Sequence, residues 1–481
     1  MRRVVITAAW CALVACRQGP VTPAPTTETE TPPEEMRHPG PPFQHATTPA
    51  GMAVAFHDEP QSGRMALSLV LPAGTLHEPP DAAGAMSLLV NTLRRAGMRG
   101  LGQGPNLMGH ELSSVVESSG LEMTVDADLQ HLLIQANGPA RHAALATTLV
   151  CGLAFAPLIP PELIDVAREE ALDAADERAQ GSSQLADEVL RAALFSGHAL
   201  ARPALPHPSA VETLDTHAII SMHTRAARPA QSLLLAAGGD GNEILKAANT
   251  CRAWQPSLSV EDIPSPPPRL STGRTRRIHV HATQNHSAFI KLGGRAPPPA
   301  TPEAAALSVL IETVANGFSS SLVRQLRAER GQVYGVEGAV SGVRQAGWWS
   351  VSTSTSAGHA VEVAEVMQRT LAELHERGMT SEAWRGAARA MALGFAYGRE
   401  AVTELLAVEI DGWILGRMPG ETWRTPAWLW NLDAEWAWRV VKPYLDPGQM
   451  VLVVVLPRTG VQGAPPDVVI DAETWPVEIQ P

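Results

Sequence analysis

Three histidines near position 280 are the first candidates for chemistry, because His side chains are common ligands of divalent metals. His279 and His281 are two residues apart, so on a strand both rings lie on one face; His286 follows shortly after. No nearby acid completes a metal site. Arg276 and Arg277 precede the group and favour the alternative, solvent-facing histidines on a first strand, so we predict no bound metal in this chain.

No two histidines four residues apart with a glutamate near them occur anywhere in the chain. In the common zinc-hydrolase arrangement, two rings one helical turn apart hold Zn²⁺ and a glutamate between them activates the metal-bound water. His110 is followed by Glu111 but has no partner one turn later, and His198 and His207 have the wrong spacing.

Beyond the N-terminal segment the chain has two cysteines, Cys151 and Cys251. A disulfide between them and two separate buried thiols are both compatible with the sequence. No Cys-x-x-Cys pair occurs, so cysteine zinc sites and thioredoxin chemistry have no support.

The N-terminus has the pattern of a secretory signal, because Arg2 and Arg3 precede an apolar segment too short to span a membrane. Leu13-Val14-Ala15-Cys16 resembles the bacterial lipobox, so we predict a signal peptide over 1–15 and lipid attachment at Cys16. Residues 16–42 contain eight prolines and read as a stalk. We therefore expect a lipoprotein of the bacterial cell envelope facing the periplasm, on the inner or outer membrane; a plain signal peptide or a short buried helix is the alternative.

The composition limits the classes of partner. The net charge is -12 and no dense Lys/Arg stretch occurs, so we expect no binding to nucleic acid. After the first 15 residues, no apolar run approaches the roughly 20 residues of a membrane-spanning helix.

The elements that must position any site come in two similar sets. Ala85-Met-Ser-Leu-Leu-Val-Asn-Thr92 recurs as Ala306-Leu-Ser-Val-Leu-Ile-Glu-Thr313, and the strand-like run before each copy keeps the same register. A repeat this long indicates two related domains, since solenoid units recur at about 20–50 residues. We assign domains to 43–254 and 276–460, a Pro/Ser-rich linker to 255–275 and a C-terminal tail to 461–481.

Mixed runs of strands and helices predict an α+β fold: two homologous α/β sandwich domains, each a sheet with helices on one face, facing each other as a clam-shell. The first half has a predicted helix over 81–93 and a strand pair over 121–125 and 131–136. The second half has a helix over 318–330 ended by Gly331, then strands over 333–340 and 348–355, the latter with outward Ser and Thr.

The run Asn316-Gly-Phe-Ser-Ser-Ser-Leu-Val-Arg-Gln-Leu-Arg-Ala-Glu-Arg-Gly-Gln-Val-Tyr334 resembles the second-domain signature of the pitrilysin/insulinase zinc metallopeptidase family, which includes mitochondrial processing peptidase. The duplicated domains and the stretches around Phe195 to Pro208 and Glu382 are also similar to that family. The resemblance covers about 45–457.

The resemblance implies a His-x-x-Glu-His motif on the first-domain helix of an active chain. Here Ser87, Val90 and Asn91 occupy those three positions. Serine and asparagine are poor Zn²⁺ ligands and valine accepts no proton, so the motif is degenerate. The family's later acidic ligand would fall within 169–177, where several acids leave its identity open.

In two-chain members of this family, the partner of the zinc-bearing subunit supplies an arginine and a tyrosine, seven residues apart, that hold the substrate. Arg327 and Tyr334 match that pair. A guanidinium can donate to peptide carbonyls and a phenol to a developing oxyanion. The structural alternative is that Arg327 complements the dipole at a helix C-terminus and that Tyr334 is half-buried on a strand.

The resemblance leads to one main hypothesis: a non-catalytic, substrate-binding subunit of a heterodimeric, membrane-anchored peptidase acting on peptides. A homologous subunit with an intact zinc motif would hold the Zn²⁺, and this chain would bind no cofactor. Peptide would bind in extended form at a sheet edge, with 121–125 as the candidate strand. Two alternatives are a structural or peptide-binding scaffold lipoprotein without a peptidase partner, and an autonomous zinc metalloendopeptidase with atypical ligands.

Overall fold

The computed structural model describes residues 43–59, 62–100, 104–181, 183–203, 207–253, 272–282, 287–317, 319–397, 401–457 and 465–477, with residues 31, 33, 265, 266 and 479. Cys16, the signal peptide, almost all of the stalk and most of the linker lie outside this part, as do His286 and Phe318. Among the described helices, none is long and apolar enough to cross a membrane.

The first half forms a six-stranded sheet in the order β1-β2-β8-β3-β6-β5. The apolar residues of β3 explain its central place, since all but the first residue of this strand are buried. Two short strands, β4 and β7, pair separately. The strands are β1 (Gln44–Thr47), β2 (Ala53–His57), β3 (Arg64–Leu71), β4 (Gly97–Met98), β5 (Glu122–Ala127), β6 (Leu132–Pro139), β7 (Pro157–Leu158) and β8 (Leu233–Ala237).

Helices of the first half carry the segments between these strands. The predicted helix over 81–93 is divided, because Gly84 has a left-handed φ of 94° and separates a 3₁₀ turn, Pro80–Ala82, from the α-helix. The helices are α1 (Ala85–Leu93), α2 (Gly109–Ser118), α3 (Ala143–Phe155), α4 (Glu162–Ala179), α5 (Ser183–Leu194), α6 (Pro208–Thr213), α7 (Thr216–Ala226) and α8 (Gly241–Ala248).

The second half forms a sheet in the order β11-β12-β10-β13-β9-β14. Its strands are β9 (Arg276–Ala282), β10 (Ser287–Ala296), β11 (Glu337–Val343), β12 (Ala346–Ser356), β13 (Val451–Pro457) and β14 (Val468–Asp471). Its helices are α9 (Pro302–Ala315), α10 (Ala360–Arg377), α11 (Ser381–Tyr397), α12 (Val402–Ile414), α13 (Thr425–Trp430) and α14 (Ala434–Val441).

Five strands of each sheet share one topology, which confirms the repeat and the α+β class; the sixth differs, because β1 pairs antiparallel with β2 whereas β14 pairs parallel with β9. In each, a central strand (β3 or β10) pairs antiparallel on both sides, and the next strand out pairs parallel with its neighbour (β8 with β2, β13 with β9). The predicted strand pair over 121–125 and 131–136 is present as β5 and β6, and β5 is an edge strand. By position, α1 corresponds to α9 and edge strand β5 to edge strand β11.

Each half sends one helix to the other half's sheet. The helices of each half cover one face of its sheet, as predicted, and a helix from the other half covers the second face. Leu405, Leu406 and Ile410 of α12 pack on β3 and β8 of the first sheet, while Leu185 and Val189 of α5 pack in the cluster that covers the second sheet. The sequence did not reveal this exchange, which joins the two halves through their hydrophobic cores.

A disulfide and a C-terminal strand complete the fold. Cys151 on α3 and Cys251 after α8 form a disulfide, with Cα atoms 5.5 Å apart. The segment 461–481 was assigned to a tail, but β14 pairs with β9 within the second sheet, and Trp475 is buried. The Trp475 indole donates a hydrogen bond to Glu188 of α5 at 3.0 Å, so this segment also ties the halves together.

Candidate functional site

The N-terminus of α1 is held by a buried carboxylate. Glu78 accepts the Gly84 N–H at 3.0 Å and the Met86 N–H at 2.8 Å, which satisfies two of the donors that a helix leaves open at its start. Burial nevertheless raises the pKa of Glu78 to about 7, because desolvation of the charged form outweighs these two bonds and the nearby Arg202. This anchor sets the position of the helix that carries the degenerate motif.

Ser87, Val90 and Asn91 lie on α1 where it packs against α4. Val90 is buried, and Ser87 and Asn91 are half-buried. The Asn91 amide donates to the Ala167 carbonyl of α4 at 3.5 Å, and its oxygen accepts from Arg94 at 3.3 Å. The three positions that the resemblance assigns to the zinc motif thus take part in ordinary helix packing here.

Two arginines that directly follow α1, Arg94 and Arg95, lie beside Asn91. Arg94 donates to the Val125 carbonyl at 3.0 Å and to the Asp126 carboxylate at 2.7 Å. Arg95 donates to Glu170 of α4 at 2.9 Å, so a carboxylate from the segment expected to supply the acidic ligand is engaged in an ion pair. Positive charge at this place opposes cation binding.

The histidines near position 280 do not form a metal site with described residues. No group of three His, Cys, Asp or Glu side chains that could hold a metal ion occurs within the described part of the chain, so the donors there do not fit zinc. His279 and His281 lie on β9, which is an inner strand between β13 and β14, and both are half-buried, so they face solvent only in part. Burial lowers the pKa of His279, with smaller effects of His281 and Arg277.

Arg327 and Tyr334 are brought together by the structure. The Arg327 guanidinium carbon lies 5.2 Å from the centre of the Tyr334 ring, within the range of a cation–π contact. Arg327 is exposed, and 86% of Tyr334 is exposed, so the half-buried alternative for this tyrosine was wrong. An aromatic side chain this exposed is unusual, and its presence beside a guanidinium offers both a cation and a phenol to a ligand.

The segment before Tyr334 differs from the predicted α-helix. Residues Val323–Ala328 form a π-helix, in which the Glu329 N–H donates to the Arg324 carbonyl five residues back at 3.0 Å. Leu322 and Leu326 are both buried, as their spacing predicts. Gly331 has a left-handed φ of 65° and ends this segment as expected. Short π-helical segments are frequent at functional sites.

The loop that carries Tyr334 is fixed by two buried threonines of β12. Thr353 donates its hydroxyl to the Gly335 carbonyl, and Thr355 donates to the Gln332 carbonyl, each at 2.6 Å. These bonds hold the backbone on both sides of Tyr334 while its ring stays exposed. The sequence predicted outward-facing Ser and Thr on this strand, which was wrong for Ser350, Thr353 and Thr355, all buried. Alternation itself puts Thr353 and Thr355 on the face of the buried Trp349 and Val351, so the prediction failed because it followed their polar side chains.

The chain is similar in sequence and in fold to several known proteins. The family model described as "Peptidase M16 inactive domain" matches residues 218–391. An uncharacterized zinc protease of Mycobacterium leprae is 23% identical over 357 residues, covering 74% of this chain and 78% of that protein.

Two solved structures share the fold. The peptidase M16 inactive domain from Pseudomonas fluorescens superposes with a TM-score of 0.75 at 18% identity, covering 89% of this chain and all of that one. A protease from Helicobacter pylori superposes with a TM-score of 0.76 at 14% identity, covering 87% of this chain and 100% of that one. At these identities the structures establish the two-half fold alone.

Proposed function

We propose that this chain is a peptidase M16 family member without the zinc-binding side chains, and that it is the substrate-binding subunit of a two-chain zinc peptidase. The partner, a homologous subunit with an intact zinc motif, supplies the metal and the general base. This chain supplies Arg327, Tyr334 and part of the surface that encloses a peptide.

The observation that carries the proposal is the Arg327–Tyr334 pair on a fixed loop. Thr353 and Thr355 hold the loop backbone, so little conformational freedom is lost when a ligand engages the tyrosine. A guanidinium can donate to the carbonyl oxygens of an extended peptide, and the phenol can donate to the oxyanion that develops at the scissile carbonyl. The Tyr334 side chain is 86% exposed, so its ring is accessible to a ligand or to a partner subunit.

Zinc chemistry in this chain alone has little to support it. Ser87, Val90 and Asn91 offer no metal donor set, and Arg94 and Arg95 add positive charge one turn away. Binding of the catalytic partner is therefore what would bring a metal to the peptide held by Arg327 and Tyr334.

We further propose that the protein is a lipoprotein of the bacterial cell envelope, attached to a membrane through Cys16 and facing the periplasm. The sequence pattern before Cys16 supports this, as does the Cys151–Cys251 disulfide, since such bonds persist in oxidising compartments. Globomycin treatment of the native host tests the anchor: accumulation of an unprocessed precursor is expected, and normal processing contradicts it.

The proposed role is tested by reconstitution. The chain is co-purified from its native host with its partner, identified by mass spectrometry, and cleavage of a fluorogenic peptide is measured with the wild type, Arg327→Ala and Tyr334→Phe. Loss of one donor to an oxyanion typically lowers kcat by about 10²–10³-fold, so a decrease of that order is expected for Tyr334→Phe.

Arg324→Ala is the matched control, because Arg324 lies on the same π-helix, is exposed and makes only a 3.8 Å ion pair with Glu329. Its activity is expected to stay within twofold of the wild type. Undiminished cleavage by Arg327→Ala would remove the assigned role. Absence of any zinc-bearing partner in the purified material would instead favour a scaffold lipoprotein.

A further inference from the structure

A cavity of about 470 Å³ lies at the junction of the two halves, away from the Arg327–Tyr334 pair. The first half contributes the turn between β5 and β6, and the second half contributes the turn between β11 and β12 and the segment after α12. Its principal polar and apolar lining residues are His77, His131, Gln130, Arg344, Arg417 and Trp413.

The two turns are joined by hydrogen bonds of Gln130. Its side-chain oxygen accepts the Arg344 N–H at 3.0 Å, and its amide donates to the Gln345 side chain at 3.1 Å. The Arg344 guanidinium in turn donates to the Trp413 carbonyl at 3.4 Å. The cavity is therefore a built feature, whose walls are held by polar bonds between the halves.

His131 provides a buried polar group at this cavity, whose Nδ1 faces the Asp128 carboxylate at a distance longer than an ordinary hydrogen bond. The residue is 9% exposed, and its Nδ1 makes no hydrogen bond to any described residue. Asp128 lies 3.5 Å from that nitrogen, but its Oδ1 already accepts the N–H groups of Gln130 and His131 at 2.6 and 2.7 Å. A buried ring nitrogen left in this state is the kind of group that a ligand satisfies.

The charge of the lining favours an anion. Arg344 and Arg417 are cationic, and His77 adds a ring whose Nδ1 accepts the Gly74 N–H. No acidic side chain lines the cavity in the described part of the chain. The protein has a net charge of -12, so its overall field repels anions. The positive charge of the cavity therefore comes from the arginines that line it.

The size and apolar walls favour an organic anion over a small inorganic one. Pro72, Trp413 and Met418 line the cavity together with the cationic groups, and the volume lies within the range of small-ligand sites. We propose that this junction cavity binds the free α-carboxylate end of a peptide, with Arg344 as the main charged contact and His131 and Gln130 beside it. This inference rests on the proposed peptide-binding function and specifies which part of a peptide is held.

The test uses the isolated chain and isothermal titration calorimetry with one peptide in two forms, a free acid and a C-terminal amide. The free acid is expected to bind at least about tenfold more tightly, because a charge-assisted hydrogen bond is lost in the amide. Arg344→Gln is expected to remove that preference. Arg141→Gln is the matched control, since Arg141 is exposed and lies on the first half outside the cavity.

Equal affinity of the two peptide forms for the wild type overturns the inference, as does a preference that survives Arg344→Gln. Inorganic phosphate is the third arm of the test. Phosphate that displaces the peptide only at concentrations far above the peptide Kd supports an organic ligand. Tight phosphate binding without competition by the peptide contradicts the inference. The proposed function is tested separately, because Arg327→Ala affects cleavage in the two-chain complex and leaves the acid-over-amide preference unchanged.

Discussion

Arg94 closes the free side of the first sheet by donating its Nε proton to the backbone carbonyl of Val125 at 3.0 Å. Val125 belongs to edge strand β5, at the side of the sheet where a further strand could be added. The candidate peptide-binding edge over 121–125 is therefore occupied at one end by a side chain of the same chain. An extended peptide that pairs along the whole of β5 must displace Arg94.

Removal of Arg94 tests the strength of this closure. Arg94→Ala deletes the bond to the Val125 carbonyl, a 3.3 Å bond to the Asn91 side chain and an exposed ion pair with Asp126, so the free energy of unfolding is expected to fall by about 1 kcal/mol. Urea unfolding measures the change. Arg95→Ala, which loses the surface pair with Glu170 and a long 3.5 Å bond to the Asn91 carbonyl, is the control and is expected to cost less. Equal losses for the two variants would show that the Val125 bond contributes nothing.

Thr353→Val and Thr355→Val test whether the loop of Tyr334 is held in place. Each substitution keeps the side-chain shape but leaves a carbonyl, that of Gly335 or Gln332, without its donor, at a cost of about 1–3 kcal/mol. Hydrogen exchange of 332–335 is expected to quicken, and peptide cleavage in the two-chain complex to fall although Tyr334 is unchanged. Unaltered exchange in the double variant would contradict the role given to these hydroxyls.

The buried Glu78 predicts an unusual pH dependence of stability. Its pKa is about 7 when folded and near 4.5 when unfolded, so the folded state binds more protons between these values and stability falls as the pH rises from about 4.5 to about 7. The full effect is on the order of 3 kcal/mol. Urea unfolding at pH 5 and pH 8 measures it. Glu78→Gln should reduce the difference between the two pH values, whereas Glu117→Gln, at an exposed position, should not.

The exchanged helices predict that the halves unfold together. Ile410 of α12 is 4% exposed and packs on the first sheet, so Ile410→Ala is expected to lower the stability of the whole chain by about 2–5 kcal/mol. Differential scanning calorimetry should show one transition that moves to lower temperature. Thr403→Ala, on the exposed side of the same helix, is the control. Two transitions, with only one shifted, would mean that the halves are independent domains.

The disulfide predicts a redox-dependent stability. Cys151→Ala with Cys251→Ala is expected to cost about 2–4 kcal/mol, because the bond closes a long loop that is otherwise free in the unfolded chain. Guanidinium unfolding with and without dithiothreitol measures the same quantity in the wild type. If the reductant has no effect on the unfolding midpoint, the bond is absent in solution.

The sequence alone determined the features that depend on local pattern. The duplication of Ala85–Thr92 in Ala306–Thr313 was readable because similar helices bury the same apolar face. The absence of His-x-x-Glu-His was readable because a metal motif needs fixed residue types at fixed spacing, while the assignment of Ser87, Val90 and Asn91 to its positions stays a prediction. The Arg327–Tyr334 spacing was equally visible, since the two residues lie within one short segment.

Tertiary structure alone decided which groups far apart in the chain meet. Thr353 and Thr355 donate to the carbonyls of the loop around Tyr334, and Gln130 meets Gln345 across the junction of the halves. The passage of α5 and α12 to the opposite sheets was also unreadable, because an apolar helix face specifies that it will be buried and says nothing about which apolar surface will bury it.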